Sequence, residues 1–314
     1  MTKSVSVHIV TYNSEKDIRT CLEAVCRQQY PISSVIIIDN NSSDKTVAEV
    51  DSLKDMFRDR LQLVRNAENT GFAPAHNQGI HLSSADYIVV LNPDVTLEPD
   101  YIGKLVEVLE GDKSIGSATG MLLRKEKPEL LDSTGITMNS ARRAFDRGAG
   151  QPSSQWRESG DVFGVSGAAA VYARRMVDDV SIEGEFFDSS FFAYKEDVDV
   201  AWRASLLGWG AYYRADALGY HERGWKEDNR STKPLFLRQL SYINRYKMMY
   251  KNDSLKNVLK SIPKLLPYEL ASHAYFLIRE PGVLKAWGSF FRERRQLQQK
   301  RRMIQNKLRS TKRI

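Results

Sequence analysis

The chain of 314 residues holds only two cysteines, Cys21 and Cys26. Their five-residue offset on a helix turns them to different faces, so neither a disulfide nor a thiolate metal pair is expected. Both read as reduced thiols packed as small hydrophobes, which suits a cytoplasmic setting. No apolar run reaches the ~18 residues that a membrane-spanning helix needs, so any membrane contact is expected to be peripheral. Ser4 to Thr11 enters a strand without the apolar stretch of a signal peptide. Two phosphate-binding motifs are also missing. There is no P-loop lysine motif and no G-x-G-x-x-G, so a Walker ATPase and a Rossmann dehydrogenase both lose support. No recognised nucleic-acid module accompanies the basic residues, and nucleic acid is not an expected partner.

What is present is an apolar fraction of 42%, enough for a real core, and a net charge of +7 that is unevenly spread. From Lys285 to Ile314 there are 11 Lys or Arg against one Glu. The basic character therefore belongs to a tail, and the body is mildly acidic. The length suits one large α/β domain with an extension.

Strand and helix signals alternate through the first half. Val5, Val7 and Ile9 share one face of a first strand. Ser14 and Asp17 read as a capping box before Ile18, Cys21, Leu22 and Val25 at helical spacing, and Pro31 closes that unit. Val35 to Ile38 is a second strand ending at Asp39. Ser43 can cap a helix carrying Val47, Val50 and Leu53. Leu61 to Val64 is a third strand, a short helix follows near Ala75, and Tyr87 to Leu91 is a fourth strand. This alternation predicts a mostly parallel sheet covered by helices on both faces. The region 115–172 is richer in Gly, Ser and Thr, with short strands at 120–123, 162–165 and 169–172. A helix over about 196–207 and an aromatic strand at Tyr212 and Tyr213 follow. Beyond Pro234 the pattern is helical, with a stripe of Phe236, Leu240, Ile243, Tyr246 and Tyr250, and Pro263, Pro267 and Pro281 punctuating further helices.

Five segments carry chemistry. Asp94 follows the fourth strand, after Asn92 and Pro93 stop the ladder; a carboxylate at a strand's carboxyl end suits a divalent cation and a phosphate-bearing ligand. Taken alone it is also an ordinary turn aspartate. Thr11 to Ser14 can line a nucleotide pocket or simply cap a helix. In Asp39-Asn-Asn41-Ser-Ser-Asp44 a carboxylate can accept the N3–H of uracil or thymine, and the same letters make an Asx turn. Asn69-Thr-Gly71-Phe-Ala-Pro-Ala-His-Asn77 has small residues that allow close backbone approach and amides that can bond a sugar hydroxyl. Glu196-Asp197-Val-Asp199 opens a helix, where acids are favoured by the helix dipole and can equally supply a general base. His221 stands shortly after a strand and gains weight only beside a metal at Asp94.

In this order the segments resemble an inverting glycosyltransferase of family 2 with the GT-A fold, over about residues 4 to 230. The stretch Leu131-Asp-Ser-Thr-Gly-Ile-Thr with Asp146-Arg-Gly148 is similar to the bacterial rhamnosyltransferase-like branch. The resemblance implies an α/β GT-A fold, a Rossmann-like mixed, mostly parallel sheet flanked by helices, with a C-terminal helical extension. It implies a catalytic domain over 1–230, with a donor half of about 1–125 and an acceptor half of about 126–230, and an extension over 231–314. It also implies that Thr11, Asn13, Asp39, Asn41, Asn69, Gly71, Asn77 and Asn92 lie toward the donor, a UDP- or dTDP-sugar. Asp94 and His221 would hold Mg2+ or Mn2+, and Asp197 would be the catalytic base, flanked by Glu196 and Asp199. Asn92 stands where the family's D-x-D motif has its first acid. The acceptor implied is a glycan or a lipid-linked saccharide of cell-surface polysaccharide synthesis. A sugar nucleotidyltransferase or a non-catalytic nucleotide-sugar binder are the other classes the residues admit.

In the tail, Val283, Trp287, Phe290, Leu297, Ile304 and Leu308 recur at helical spacing among Arg and Lys. Such a helix is suited to lie on an anionic membrane surface on the cytoplasmic face; packing on the body or a homo-oligomer contact are the alternatives.

Overall fold

The computed structural model describes residues 2–222 and 233–311. The first four strands are β1 (Val5–Thr11), β2 (Ser34–Asp39), β3 (Leu61–Arg65) and β4 (Tyr87–Leu91). They lie in the order β4-β1-β2-β3 and run parallel throughout. Val5, Val7 and Ile9 pack on one face, and Ile36 and Ile38 pack with Ala75 on the other. Burial on both faces is why these strands read as near-continuous apolar runs. Helices α1 (Ile18–Cys26), α2 (Thr46–Ser52), α3 (Lys54–Phe57) and α4 (Phe72–Leu82) connect them.

The chain then adds β5 (Val95–Leu97), α5 (Tyr101–Gly111), β6 (Ile115–Arg124), β7 (Lys127–Ser133), β8 (Ile136–Met138), β9 (Ala144–Asp146), β10 (Gly160–Val162), β11 (Ala169–Ala173), α6 (Arg174–Val180), α7 (Glu196–Leu206) and β12 (Gly210–His221). The sheet continues past β4 as β11, β6, β12 and β10, with β5 and β7 pairing at the side and β8–β9 a separate hairpin. β11 runs antiparallel to both its neighbours, and β12 is parallel to β6. The expected mixed, largely parallel sheet flanked by helices is what forms.

Two expected caps do not form. The Ser14 hydroxyl accepts from the Tyr12 N–H rather than capping α1. Ahead of α2 it is Asp44, not Ser43, that accepts from the N–H and hydroxyl of Thr46, while the Ser43 hydroxyl turns away to donate to Asn13 Oδ1. The strand expected over 162–165 ends at Val162, and Val165 is a buried residue beyond it.

The carboxy-terminal region is helical: α8 (Leu235–Asn252), α9 (Leu255–Arg279), α10 (Pro281–Leu284) and α11 (Trp287–Thr311). Pro263 and Pro267 do not end helices; both lie exposed inside α9. A proline leaves the carbonyl four residues earlier unbonded, which costs least where water reaches the helix. Pro281 does open α10. Within the α8 stripe Ile243 is buried, but Phe236 is 52% exposed and lies edge-on to Phe192. The apolar stripe of the tail is turned inward: Val283, Phe290, Leu297 and Ile304 are all buried. Lys300, from the same helix, is buried against Asp188 at 2.7 Å. Among the described residues most of the tail's apolar stripe packs on the body, while Phe291 beside it stays exposed. No helix among the described residues is long and apolar enough to cross a membrane. The domain boundary expected near residue 230 lies outside the described residues.

Candidate active site

β1 has β2 on one side and β4 on the other, so the strand order reverses there, and open α/β sheets bind ligands beyond the carboxyl ends at such a point. Register aligns Thr11 with Asp39. The Thr11 hydroxyl donates to Asp39 Oδ1 at 2.9 Å, and the Ser42 hydroxyl and N–H donate to Oδ1 and Oδ2. Asn13 and Asn41 both adopt positive φ, 52° and 64°, a region asparagine tolerates better than most side chains. Asn13 Oδ1 accepts the Ser43 N–H, so the two loops brace one another.

One strand over, Asn92 and Asp94 follow β4. The pairing of β12 with β5 sets His221 opposite Val95, which brings its ring beside Asp94. His221 Nε2 lies 3.3 Å from Asp94 Oδ1, an ion-pair distance with poor hydrogen-bond geometry, and that buried oxygen has no hydrogen-bond partner. His221 Nδ1 is 2.8 Å from Oδ2 of Asp132, a buried carboxylate on β7. Burial opposes a charge on the ring, but the hydrogen bond to Asp132 and the close carboxylate of Asp94 outweigh it, and the His221 pKa is pushed up to about 9. Asp132 sits inside a segment quoted for the family likeness, yet nothing local in the sequence marks it as a partner for a histidine 89 residues later.

The third wall is the start of α7. Asp197 Oδ2 accepts the Gly167 N–H at 3.2 Å and Oδ1 accepts the Val198 N–H at 2.8 Å. Burial raises the Asp197 pKa and Asp146 adds to the rise, while the Gly167 N–H, Lys195 and the Val198 N–H hold it down. Glu196 is more strongly affected: burial first, then Asp197, push it up to about 8. Asp199 points elsewhere. It is fully buried and bonded by Arg203, Lys251 and Asn252, a structural acid rather than a member of the site.

Asn92, Asp94, Glu196, Asp197 and His221 line one cleft of about 860 Å³. That volume suits a ligand of nucleotide-sugar size. Thr11, Asn13, Asp39 and Asn41 form the adjoining cluster at the ends of β1 and β2 and do not line this cleft. Asn69, Gly71 and Asn77 have other employment. Asn69 Oδ1 accepts the Gly71 N–H, and Gly71, at φ +92°, leaves room for the Phe192 carbonyl, which a Cβ would meet at 2.5 Å. The close approach expected of this glycine is made by the protein's own chain. Asn77 pairs both ends of its amide with the Phe187 backbone.

The loop before α7 is strained. Phe192, Tyr194 and Lys195 all have positive φ, which costs of order 1–3 kcal/mol each and persists only where surroundings enforce it. The enforcement comes from α8. The Asn244 amide, fully buried, donates to the carbonyls of Phe191, Ala193 and Tyr194, and Lys247 donates to Ser190. Sequence reasoning missed this brace because an asparagine in an amphipathic helix carries no sign of a partner 50 residues away.

Fold and site together define a GT-A-type protein with carboxylates gathered at the switch point of its sheet. The chain belongs to glycosyl transferase family 2, whose model matches residues 6–179. It is 25% identical over 216 residues to the poly-beta-1,6-N-acetyl-D-glucosamine synthase of Staphylococcus aureus (strain COL), an alignment covering 69% of this chain and 49% of that one. The chain thus spans about half the length of such relatives. The crystal structure of S. aureus TarS 1–349 in complex with UDP superposes with a TM-score of 0.61 at 16% identity, over 98% of this chain and 90% of that one. The mannosyltransferase PcManGT from Pyrobaculum calidifontis, in complex with GDP-Man and Mn2+, gives 0.57 at 16% identity over 99% and 86%. The expected fold is confirmed; the rhamnosyltransferase-like branch finds no such support.

Proposed function

We propose that the protein is an inverting glycosyltransferase that moves a hexose or deoxyhexose from a UDP- or dTDP-sugar to a hydroxyl of a growing cell-surface glycan or lipid-linked saccharide. The observation that carries this reading is that Asp94 and Asp197, 103 residues apart, face one cleft. The relatives support it in kind: one is a polysaccharide synthase, and two structural neighbours hold UDP or GDP-Man. In this reading the cluster of Thr11, Asn13, Asp39 and Asn41 holds the nucleoside, with Asp39 accepting the pyrimidine N3–H, and Asn92 faces the ribose or the diphosphate. Rhamnose rests only on the likeness of residues 131–137 and 146–148, and Asp132 within the first of these is already committed to His221.

The residues at Asp94 fit a divalent cation, Mg2+ or Mn2+. Asp94 Oδ1 is a buried oxygen without a hydrogen-bond partner, His221 supplies a neighbouring nitrogen, and Asp132 fixes the ring so that Nε2 points at Asp94, the usual arrangement behind a metal-bound histidine. Among the described residues no third protein ligand joins them, which suits an ion that also takes substrate phosphates. When bound, such an ion supplies Lewis-acid stabilisation of the leaving diphosphate.

The chain's own residues then do the following. Asp197, its pKa raised by burial, accepts the proton of the acceptor hydroxyl as that oxygen bonds to the anomeric carbon. The bond from that carbon to the diphosphate oxygen breaks on the opposite face, and the electron pair leaves with the nucleoside diphosphate. One displacement inverts the anomeric centre. Burial and the neighbouring Asp197 raise the Glu196 pKa further than burial raises that of Asp197, so Glu196 takes up a proton first and Asp197 is the member of the pair suited to act as base. The test is a panel of UDP- and dTDP-sugars with Mn2+, Mg2+ or EDTA, read by nucleoside diphosphate release and by the anomeric configuration of the product. Metal-stimulated release with inversion is expected. No release from any donor, together with no thermal shift by UDP or dTDP, overturns the reading.

A further inference from the structure

The carboxy-terminal helix α9 has two faces of different character. Its inner face is fully engaged: Leu265 and Phe276 are buried, Glu269 accepts from Arg245 and Tyr246, and His273 bonds Tyr242. Its outer face carries Leu255, Leu259, Ile262, Leu266, Leu270 and Leu277, recurring at spacings of three, four and seven. All are exposed, from 41% at Ile262 to 69% at Leu255. Ile278, 78% exposed, extends the patch. Isolated exposed leucines need no explanation, but a contiguous stripe does. This one is on the order of several hundred Å², at or above the ~300–600 Å² of the largest patch on an ordinary monomer. At 25 residues the helix offers a straight edge of roughly 37 Å.

The charges beside the stripe say what covers it. Lys256, Lys260 and Lys264 follow its border one turn apart, all exposed, and Glu269, the helix's one acid, points inward to Arg245. The outward face therefore presents leucines and cations with no carboxylate. We propose that the outer face of α9 is a docking surface for an anionic lipid bilayer, with the leucines in the acyl boundary and the lysines at the headgroups. A second copy of this chain fits less well. Two such faces brought together would set their lysine rows along a seam that holds no acid to neutralise them. This surface differs from the one the sequence suggested, because the tail helix α11 has its apolar stripe buried while α9 does not. The proposal is independent of which sugar is transferred.

The test is co-sedimentation of the full chain with vesicles of phosphatidylcholine alone and of phosphatidylcholine with phosphatidylglycerol as a third of the lipid. Two variants accompany the wild type: Leu259→Glu/Leu266→Glu/Leu270→Glu, and Lys256→Gln/Lys260→Gln/Lys264→Gln. All substituted side chains are exposed, and the thermal shift induced by UDP serves as the folding control. Wild type is expected to bind the anionic vesicles and to bind neutral ones far more weakly. Neutralising the three lysines should weaken binding to the anionic vesicles by about 100-fold, and the glutamates should abolish it. The proposal is overturned if wild type stays in solution with anionic vesicles, or if the glutamate variant binds them equally well. It is also overturned if wild type is a dimer that the glutamates convert to a monomer, which makes the stripe a contact between copies.

Discussion

Replacing Asp197 with asparagine separates the base from everything else the cleft does, and the structure sets the size of each effect. The two carboxylate oxygens each accept one backbone N–H, from Gly167 and from Val198. Asparagine has one acceptor and can satisfy only one of them; its amide NH2 then faces the other donor. An unsatisfied buried N–H costs ~1–3 kcal/mol, which for a chain of this size lowers Tm by roughly 1.5–5 °C. Chemistry should suffer more. Losing a positioned general base costs ~10²–10⁴-fold in rate, or roughly 2.7–5.5 kcal/mol of barrier. Donor affinity should change little, since Asp197 serves the acceptor. The assay is initial-rate nucleoside diphosphate release at saturating donor and acceptor, beside donor Kd by calorimetry and Tm by scanning fluorimetry. Asp197→Ala is run in parallel, because it removes the donor clash that asparagine creates. A folded variant of either kind that turns over within about fivefold of wild type removes Asp197 from the base role and with it the proposed mechanism.

Three further outcomes follow from neighbouring contacts. Asp132→Asn keeps an acceptor for His221 Nδ1 but removes the charge that fixes the ring, so the Mn2+ concentration giving half-maximal thermal stabilisation should rise ~10–100-fold; an unchanged value would dissociate His221 from the metal. For the base, activity is present above the Asp197 pKa and lost as pH falls through it. Removing the cation in Lys195→Met raises that pKa and should move the acid limb of kcat/KM to higher pH, whereas Asp146→Asn should move it lower; shifts of the same sign in both would refute the assignment. Lys300→Met strips Asp188 of one of its two buried ammonium partners, which hold its carboxyl well below the usual range against burial. The loss should be ~3 kcal/mol, or roughly 4–6 °C in Tm. The double variant with Asp188→Asn should recover part of it, and a single variant that melts within about 1 °C of wild type would show that the tail is not pinned there.

How far the sequence could be read follows from the range of each interaction. The parallel half of the sheet was legible because strands such as Ile36–Ile38 and Ile88–Val90 are buried on both faces, and burial leaves an apolar run that needs no partner to be recognised. Asp94 and Asp197 each stand at the end of an element, where a turn or a helix dipole explains an acid as well as a ligand does, and it is the resemblance to family 2 that singles them out. Caps were less legible, since Ser43 and Asp44 both have the right side chain and only the neighbouring loop decides which of them is used. Partners across the fold were not legible at all. Asp132 and Asn244 are ordinary letters until the chain has folded, yet one fixes His221 and the other holds the carbonyls of the strained loop that aims Asp197. Asn244 also alters the division of the chain. A catalytic unit cut near residue 230 keeps the base but loses the three hydrogen bonds from α8 that hold Phe191, Ala193 and Tyr194 in place. It also loses Lys251 and Lys300, the two ammonium groups on Asp188, and with Lys251 a partner of Asp199 in α7. Three residues at positive φ would then have little to enforce them, and the first turn of α7 would be free to relax away from the cleft. By this reasoning α8 braces the loop that places Asp197 at the cleft, although among the described residues none after Lys233 lines the cleft itself.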